Sequence, residues 1–484
     1  MALHQVADTL PDNAAGDVRE RARRHIITLV TLVYLLLIVE GALRKWLLIH
    51  YGQLLFFARD PLVLGIYWLA FRHSFFPSRN RLLVVGAGFG LAGLLVICIQ
   101  AAGVASGIEK WPLLAAYGWR NYFLYIPLPF VVGETFQRAD VQRLVRIALV
   151  ISLPVALLVF LQFRSPLDAP INVGFGTTVA EQFHGLAVDK DHTRPMGTFT
   201  SDIGQKEFVI SCLAMVMALW ISPARRRFIK WWQFAIATAA VLSCLALSGS
   251  RAAMLHSGII VLAAAGCAIV LRGRAASARA VIIPVSIAIA ALVLYPIVFP
   301  EGYSTFMARW DTAAAAESGN FGGGGIWSRA LFGFYDFSNL LGDAPLLGYG
   351  LGLAGNASLA LGVTIPGFQG WAENDWSRHI VDLGPLLGSA FILYRIIFVA
   401  WLARRCLIGA RRNDDPLPLL LFAFVSVDLL MGEVTGQGTV HGFVWLFSGI
   451  CIAAAASERE VQEHAAESPA RSSVAAEPFP NLMR

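Results

Sequence analysis

The sequence predicts an all-α, polytopic membrane protein of about twelve transmembrane helices with one large external loop. Three observations predict it. First, 57% of the 484 residues are hydrophobic and only 14% are charged, where a soluble domain carries about 25% charged residues. Mean hydropathy is +0.62, so lipid is the only solvent that accommodates the apolar surface. Second, the apolar residues fall in repeated runs of about 17–25, the length of a helix that crosses the hydrocarbon core. The short alternating segments of a β-barrel are absent. Third, Arg-rich stretches alternate with these runs so that all of them fall on one side.

The elements follow in order. Residues 1–25 are a polar N-terminal tail that carries Arg19, Arg21, Arg23 and Arg24. No short apolar stretch with a small-residue cleavage site follows, so the first span is expected to stay as a signal anchor. The expected spans run 26–43, 54–71, 82–103, 120–136, 144–163, 205–222, 232–249, 252–271, 280–299, 379–402, 416–432 and 437–456. Between them lie "RERARRH", "RHSFFPSRNR", "RADVQRLVR", "PARRRFIK", "LRGRAASAR" and "ARRCLIGARRN". Lys/Arg bias in short loops sets orientation, which assigns both termini to the cytoplasm. The net charge of +6 therefore reflects membrane topology and not nucleic-acid binding. The long external loops are 164–204 and 300–378, the second holding a tetraglycine, 322–325, that reads as a mobile connector. Residues 26–457 form one membrane domain. The tail 458–484, rich in Ala, Glu, Ser and Pro, reads as disordered. All six cysteines lie in or beside apolar runs without metal-type spacing, so neither a disulfide framework nor a zinc site is expected.

The informative charges are those off the cytoplasmic side, because placing charge there costs energy. Arg251 sits in "LALSGSRAAML", a short turn between two spans. Read blandly, it snorkels to headgroups. Read functionally, it binds an anion at a helix N-terminus, with Gly249 making the turn and Ser248 or Ser250 capping. Arg194, in "HTRPMGTFTSDIGQKEF", precedes a helix that Ser201 or Asp202 can cap, and Lys206 can pair with Glu207. Glu40, Arg44, Lys45, Arg59 and Asp60 read as a salt-bridge cluster locking the first two helices, Glu40 and Arg44 sharing a face. Arg120, in "YGWRNYF", is either part of an interfacial belt with Tyr117, Trp119 and Tyr122 or a lipid-phosphate contact. "LLGDAPLLGYGLGLAGN" holds Gly348, Gly350 and Gly352, which lack the βαβ context of a dinucleotide site. They let backbone approach backbone or ligand. Arg329 lies upstream in "IWSRALFGFYDF".

The densest cluster is "GWAENDWSRHIVDLG", residues 370–384. Asp375 can act as N-cap, and Asp375, Arg378, His379 and Asp382 share a helical face. The plain reading is a capped helix start with solvated pairs. Glu373 has no role in that scheme.

Taken in order, "RPMGTF", "SGSRAAM", "WSRALFGF…DAPLLGYGLG" and "AENDWSRHIVDLGPLLG" resemble the O-antigen polymerase and O-antigen ligase superfamily of membrane glycosyltransferases, over about residues 190–400. The resemblance implies a GT-C-like fold in the bacterial inner membrane with a large periplasmic loop. It implies an undecaprenyl-diphosphate-linked oligosaccharide as donor and, in polymerases, as acceptor, without metal, nucleotide sugar or other cofactor. A flippase and a chain-length regulator are the implied partners. The expected catalytic set is Glu373, Arg251 and Arg194: the resemblance implies that the arginines hold the diphosphate, and a carboxylate such as Glu373 can take the acceptor proton. The expected substrate-binding set is Arg120, Arg329, Asn374, Arg378, His379, Gly348 and Gly350. Ligases carry His-Asn where this chain has Glu373-Asn374, which favours a polymerase, and Gly384 and Gly388 fit the pattern approximately. Two readings stay open: a ligase that transfers glycan to lipid A core, and a lipid or anionic-solute transporter. A transporter places charge at mid-bilayer on broken helices, and Arg395, Asp428 and Glu433 are the charges of that kind. Arg395 can also pair with Asp428 as a structural bridge.

Overall fold

The computed structural model describes residues 12–103, 108–174, 193–222, 227–320, 325–355, 358, 361–363, 372 and 374–456, with backbone alone for 12–15, 291–292, 309, 312–320 and 325–330. Among the described residues there are helices and no strand. The principal helices are α1 (Asp12–Ala42), α2 (Asp60–Arg72), α3 (Arg81–Ala102), α4 (Trp111–Trp119), α5 (Leu128–Thr135), α6 (Arg138–Arg164), α7 (Asp202–Ile221) and α8 (Trp231–Leu247). They continue with α9 (Arg251–Val270), α10 (Arg274–Val298), α11 (Pro300–Asn320), α12 (Gly325–Leu340), α13 (Asp375–Asn413), α14 (Leu417–Met431) and α15 (Gly438–Ala455).

Nine helices among the described residues are long and apolar enough to cross a membrane, and two further apolar helices, α8 and α14, are shorter. The chain is a multi-pass membrane protein on this ground. The span expected at 120–136 is not one helix. It is broken into α4, a π-helical turn Arg120–Leu124, and α5. Pro127 and Pro129 remove backbone donors and block continuation, and the π-turn sets Arg120, Asn121 and Tyr122 facing inward. The helix that carries the first span also begins earlier than expected, at Asp12. The long segment 300–378 is not simply a loop, because α11 and α12 are helices within it. The tetraglycine lies outside the described residues except Gly325, which opens α12.

Arginines of the described Arg-rich stretches meet at helix ends on one side of the bundle. Arg23 Nη1 lies 2.7 Å from Asp140 Oδ2, joining the start of α1 to the start of α6. Arg19 lies over the Phe75 ring. Arg279 donates to the Ile221 carbonyl, and the Asp414 carboxylate accepts from the Arg272 amide. The opposite end carries the buried charge described below.

α7 and α15 form the centre. Nearly every residue of both is buried. α15 packs against α5, α14, α13 and α7, with Gly442 against Leu37 and Gly449 against Val132 and Pro129, small residues letting the helices approach closely. α10 leaves most of its side chains exposed, the pattern of a helix that faces lipid tails. α13 is two helices joined at Gly384, whose φ of 82° is accessible to glycine and strained for other residues. Pro385 follows. α12 lies on α13, with Phe334, Phe337 and Leu340 around Trp376, Ile380 and Ile392.

Candidate functional site

The site is built where α13 begins. Asn374, not Asp375, is the N-cap, since its side chain accepts from the Ser377 amide at 2.9 Å. That frees Asp375, the first helical residue, to turn inward. It is 1% exposed. Its carboxylate accepts from Arg378 Nη1 at 2.8 Å, from Arg395 Nη1 at 2.7 Å and from the Thr435 hydroxyl at 2.8 Å. One carboxylate thus faces two guanidinium groups. The expected solvated pairs are buried ones, because α12, the 433–437 turn and the Gly-rich segment cover this helix start. Gly436 leaves room for the Arg378 guanidinium, which also donates to the carbonyls of Ala354 and Ala372.

Arg395 does not pair with the Asp428 carboxylate, as the sequence suggested. Its fork bonds the Leu429 and Asp428 carbonyls and Asp375, capping the end of α14. Asp428 pairs with Lys206 instead, at 3.2 Å.

A chain of hydrogen bonds runs on from Arg395. Its Nη1 lies 2.7 Å from His379 Nε2, and a guanidinium can only donate, so Nε2 accepts. His379 Nδ1 therefore carries the proton and donates to Tyr122 Oη at 3.1 Å. Tyr122 donates to Asp382 Oδ2 at 3.0 Å, and Asp382 Oδ1 accepts from the Ala354 amide at 2.9 Å. His379 is thereby locked in one tautomer with both nitrogens engaged, a buried linker rather than a free base. Tyr122 is buried, not part of an interfacial belt. Trp119 donates to the Gly90 carbonyl, and Tyr117 stacks on Phe56.

The Gly-rich segment is strapped across the break in α13. Gly348 (φ 75°) lies against the backbone of Asp382 and Gly384, and Gly352 (φ 88°) against Leu114 and Gly118. The Tyr349 amide donates to the Val381 carbonyl at 2.7 Å. Gly350 is buried within the strap, and its carbonyl accepts from the Leu353 amide. Gln100 of α3 clamps the junction, donating to the Leu347 and Asp382 carbonyls and accepting from the Leu351 amide. Of the two roles the sequence allowed these glycines, backbone against backbone is the one present.

The arginines expected to hold an anion lie at the same end. Arg194 Nη1 is 2.6 Å from the carboxylate of Asp202, which opens α7. Ser201 is the N-cap by position, without a side-chain cap bond. Arg251 opens α9 behind the Gly249 turn (φ 57°), with Ser250 capping, and lies 5.7 Å over the Trp310 ring of α11. α7 and α9 pack on each other, so the two arginines stand at the N-termini of neighbouring helices, where amide dipoles favour negative charge. Arg120 is engaged elsewhere. Asp60 takes its fork in two 2.9 Å bonds, and its guanidinium lies over Phe56. With Arg59–Glu40 and Arg44–Glu40, it ties α1, α2 and the π-turn together, as expected for the Glu40–Asp60 cluster. Lys45 reaches farther than expected, to the Gly197 carbonyl.

Glu373 and the side chain of Arg329 lie outside the described residues, and Arg329 itself is on α12. Sequence reasoning passed over Asp336 on α12, whose Oδ2 accepts from Asn374 Nδ2 at 3.1 Å and the Ser377 hydroxyl at 2.6 Å. It also passed over Gln100 and Thr435. An intramembrane glutamine on an otherwise apolar helix was the available signal for Gln100.

No protein-family model matches the chain, and no curated protein matches it.

Proposed function

We propose that the chain is a metal-independent membrane glycosyltransferase that polymerises undecaprenyl-diphosphate-linked oligosaccharide repeat units into an exopolysaccharide or O-antigen at the periplasmic face of the bacterial inner membrane. The observation that carries this reading is the pairing of Arg194 and Arg251 at the N-termini of adjacent helices, at the end of the bundle where α13 begins. The ordered motifs quoted above support it.

In this reading the acceptor hydroxyl oxygen attacks the anomeric carbon and the bond from that carbon to the carrier diphosphate breaks. The diphosphate leaves with the electron pair, and the hydroxyl proton passes to a base. Arginines fixed where negative charge develops lower the barrier most when water is excluded. Glu373, beside the N-cap Asn374, is the proposed base, and a single displacement inverts the anomeric centre. The Asp375–Arg378–Arg395 network positions the helix start that Asn374 caps.

The test is to reconstitute the purified chain in vesicles with a lipid-diphosphate repeat unit and no lipid A core. A ladder of products supports polymerisation. Product only after core acceptor is added refutes it in favour of a ligase. Labelled lipid crossing the bilayer with no glycan product refutes it in favour of a transporter.

A further inference from the structure

Three helices converge on a second cluster of charge that glycosyl transfer leaves unused. α7 supplies Lys206 and Glu207, α9 supplies His256, and α14 supplies Asp428. Lys206 Nζ lies 2.7 Å from Glu207 Oε1 and 3.2 Å from Asp428 Oδ1. His256 Nδ1 lies 3.9 Å from Asp428 Oδ2. Glu207, His256 and Asp428 are each no more than 3% exposed. Lys206, Glu207 and His256 stand in the second turns of α7 and α9 and Asp428 in the last turn of α14, inside the bundle.

Counting protons shows a deficit. His256 Nε2 is 3.0 Å from the Phe424 carbonyl oxygen. A carbonyl only accepts, so Nε2 carries the hydrogen and Nδ1 of the neutral ring is a lone pair. That lone pair faces Asp428 Oδ2, a second acceptor, across a gap too long for a hydrogen bond. Both Glu207 oxygens, Asp428 Oδ2 and His256 Nδ1 are buried without a hydrogen-bond partner among the described residues. The Lys206–Glu207 contact is close but off the hydrogen-bonding direction. Lys206 thus sets one positive charge against two carboxylates and donates to Asp428. With both ionised, the cluster holds one uncompensated negative charge in a water-poor interior, which costs several kcal/mol.

We propose that the junction of α7, α9 and α14 is a proton-binding site, in which the Glu207 and Asp428 carboxyl groups together hold one proton beside the Lys206 ammonium. One added proton cancels the excess charge and supplies the missing donor. Two carboxyls that share a site cannot both ionise freely. The described residues contain no group of three or more His, Cys, Asp or Glu side chains arranged to hold a metal ion. Lys206, with its side chain 14% exposed against 0% and 4% for the two carboxyl side chains, is the member that reaches outward.

The other charged groups near the cluster are accounted for. From α13, the Arg395 guanidinium bonds the Asp428 and Leu429 carbonyls and leaves the Asp428 carboxylate alone. From the turn after α14, Glu433 adds a further carboxyl that acts on Lys206 through space. α6, α8, α10 and α15 make no ion pair with the cluster among the described residues. The charge deficit is the same whether or not the chain transfers sugars.

The test is infrared spectroscopy of the full-length protein in liposomes at neutral pH, comparing wild type with Glu207→Gln and Asp428→Asn. Wild type should show a protonated-carboxyl band that disappears in at least one variant, because a single remaining carboxylate pairs with Lys206 and ionises. Lys206→Met should about double the band, since both carboxyls then take protons, and this arm serves if the first variants fold poorly. A wild-type spectrum without the band, or a band unchanged in all three variants, overturns the proposal.

Discussion

Asp375→Asn isolates the buried network at the start of α13. Asn keeps the shape and one acceptor oxygen, so the Thr435 hydroxyl keeps a partner. What is lost is the single negative charge facing Arg378 at 2.8 Å and Arg395 at 2.7 Å. Asp375 is 1% exposed and Arg378 and Arg395 are each 2% exposed, so solvent screens little of the loss. Stranding a charge by removing its buried partner costs about 3–5 kcal/mol. The expected destabilisation is about 4 kcal/mol, roughly a thousandfold in the unfolding constant. The assay is reversible unfolding in mixed micelles followed by tryptophan emission, which Trp376 places beside the perturbation. Arg395→Met and the double variant complete a cycle. The double variant strands one guanidinium rather than two, so its loss should fall short of the sum of the single losses by about 1–3 kcal/mol. An Asp375→Asn protein within about 1 kcal/mol of wild type, or strictly additive losses, would show that the network does not carry the charge balance argued here.

Three further outcomes are expected. Arg251→Ala should abolish polymer formation in the reconstituted assay while the protein still inserts and folds, and near-normal yield and chain length would remove the diphosphate role. Gln100→Leu strips the Gly-rich strap of one acceptor and two donated bonds, at about 1–3 kcal/mol for each group left unpaired. Hydrogen exchange of the Tyr349 and Leu351 amides should rise, and unchanged protection would refute the clamp. Burial pushes the Glu433 carboxyl above the ordinary glutamate range, with Arg378 opposing. A carboxyl whose folded-state pKa is raised destabilises the fold fully above that raised value and not at all below the unfolded value of about 4.3. Glu433→Gln should therefore be more stable than wild type at neutral pH, with the gap closing on acidification. A gap that widens as pH falls contradicts the sign.

Much of the fold was legible because its signal is one-dimensional. Length and apolarity locate a crossing helix whatever its neighbours, which is why α3, α6, α9 and α10 fall close to their expected spans. The 120–136 segment misled because it is apolar enough to span, while Pro127, Pro129 and the inward-facing Arg120 and Tyr122 break it locally. The Glu40–Arg44 pair was visible from spacing, and Arg59 and Asp60 from their place at a span entry. The pairing of Asp428 with Lys206, and of Arg395 with Asp375, was not, since each joins residues distant along the chain.

The sequence by itself determined the solvent and the helical class, because these depend on composition and on spacing along one helix. It also marked the 370–384 stretch as the densest charge. Only the tertiary structure decided what that charge does. Covered by α12, the Gly-rich strap and the 433–437 turn, Asp375, Arg378, His379 and Asp382 become a desolvated network rather than a solvated helix start. A buried charge must find a partner wherever the fold supplies one.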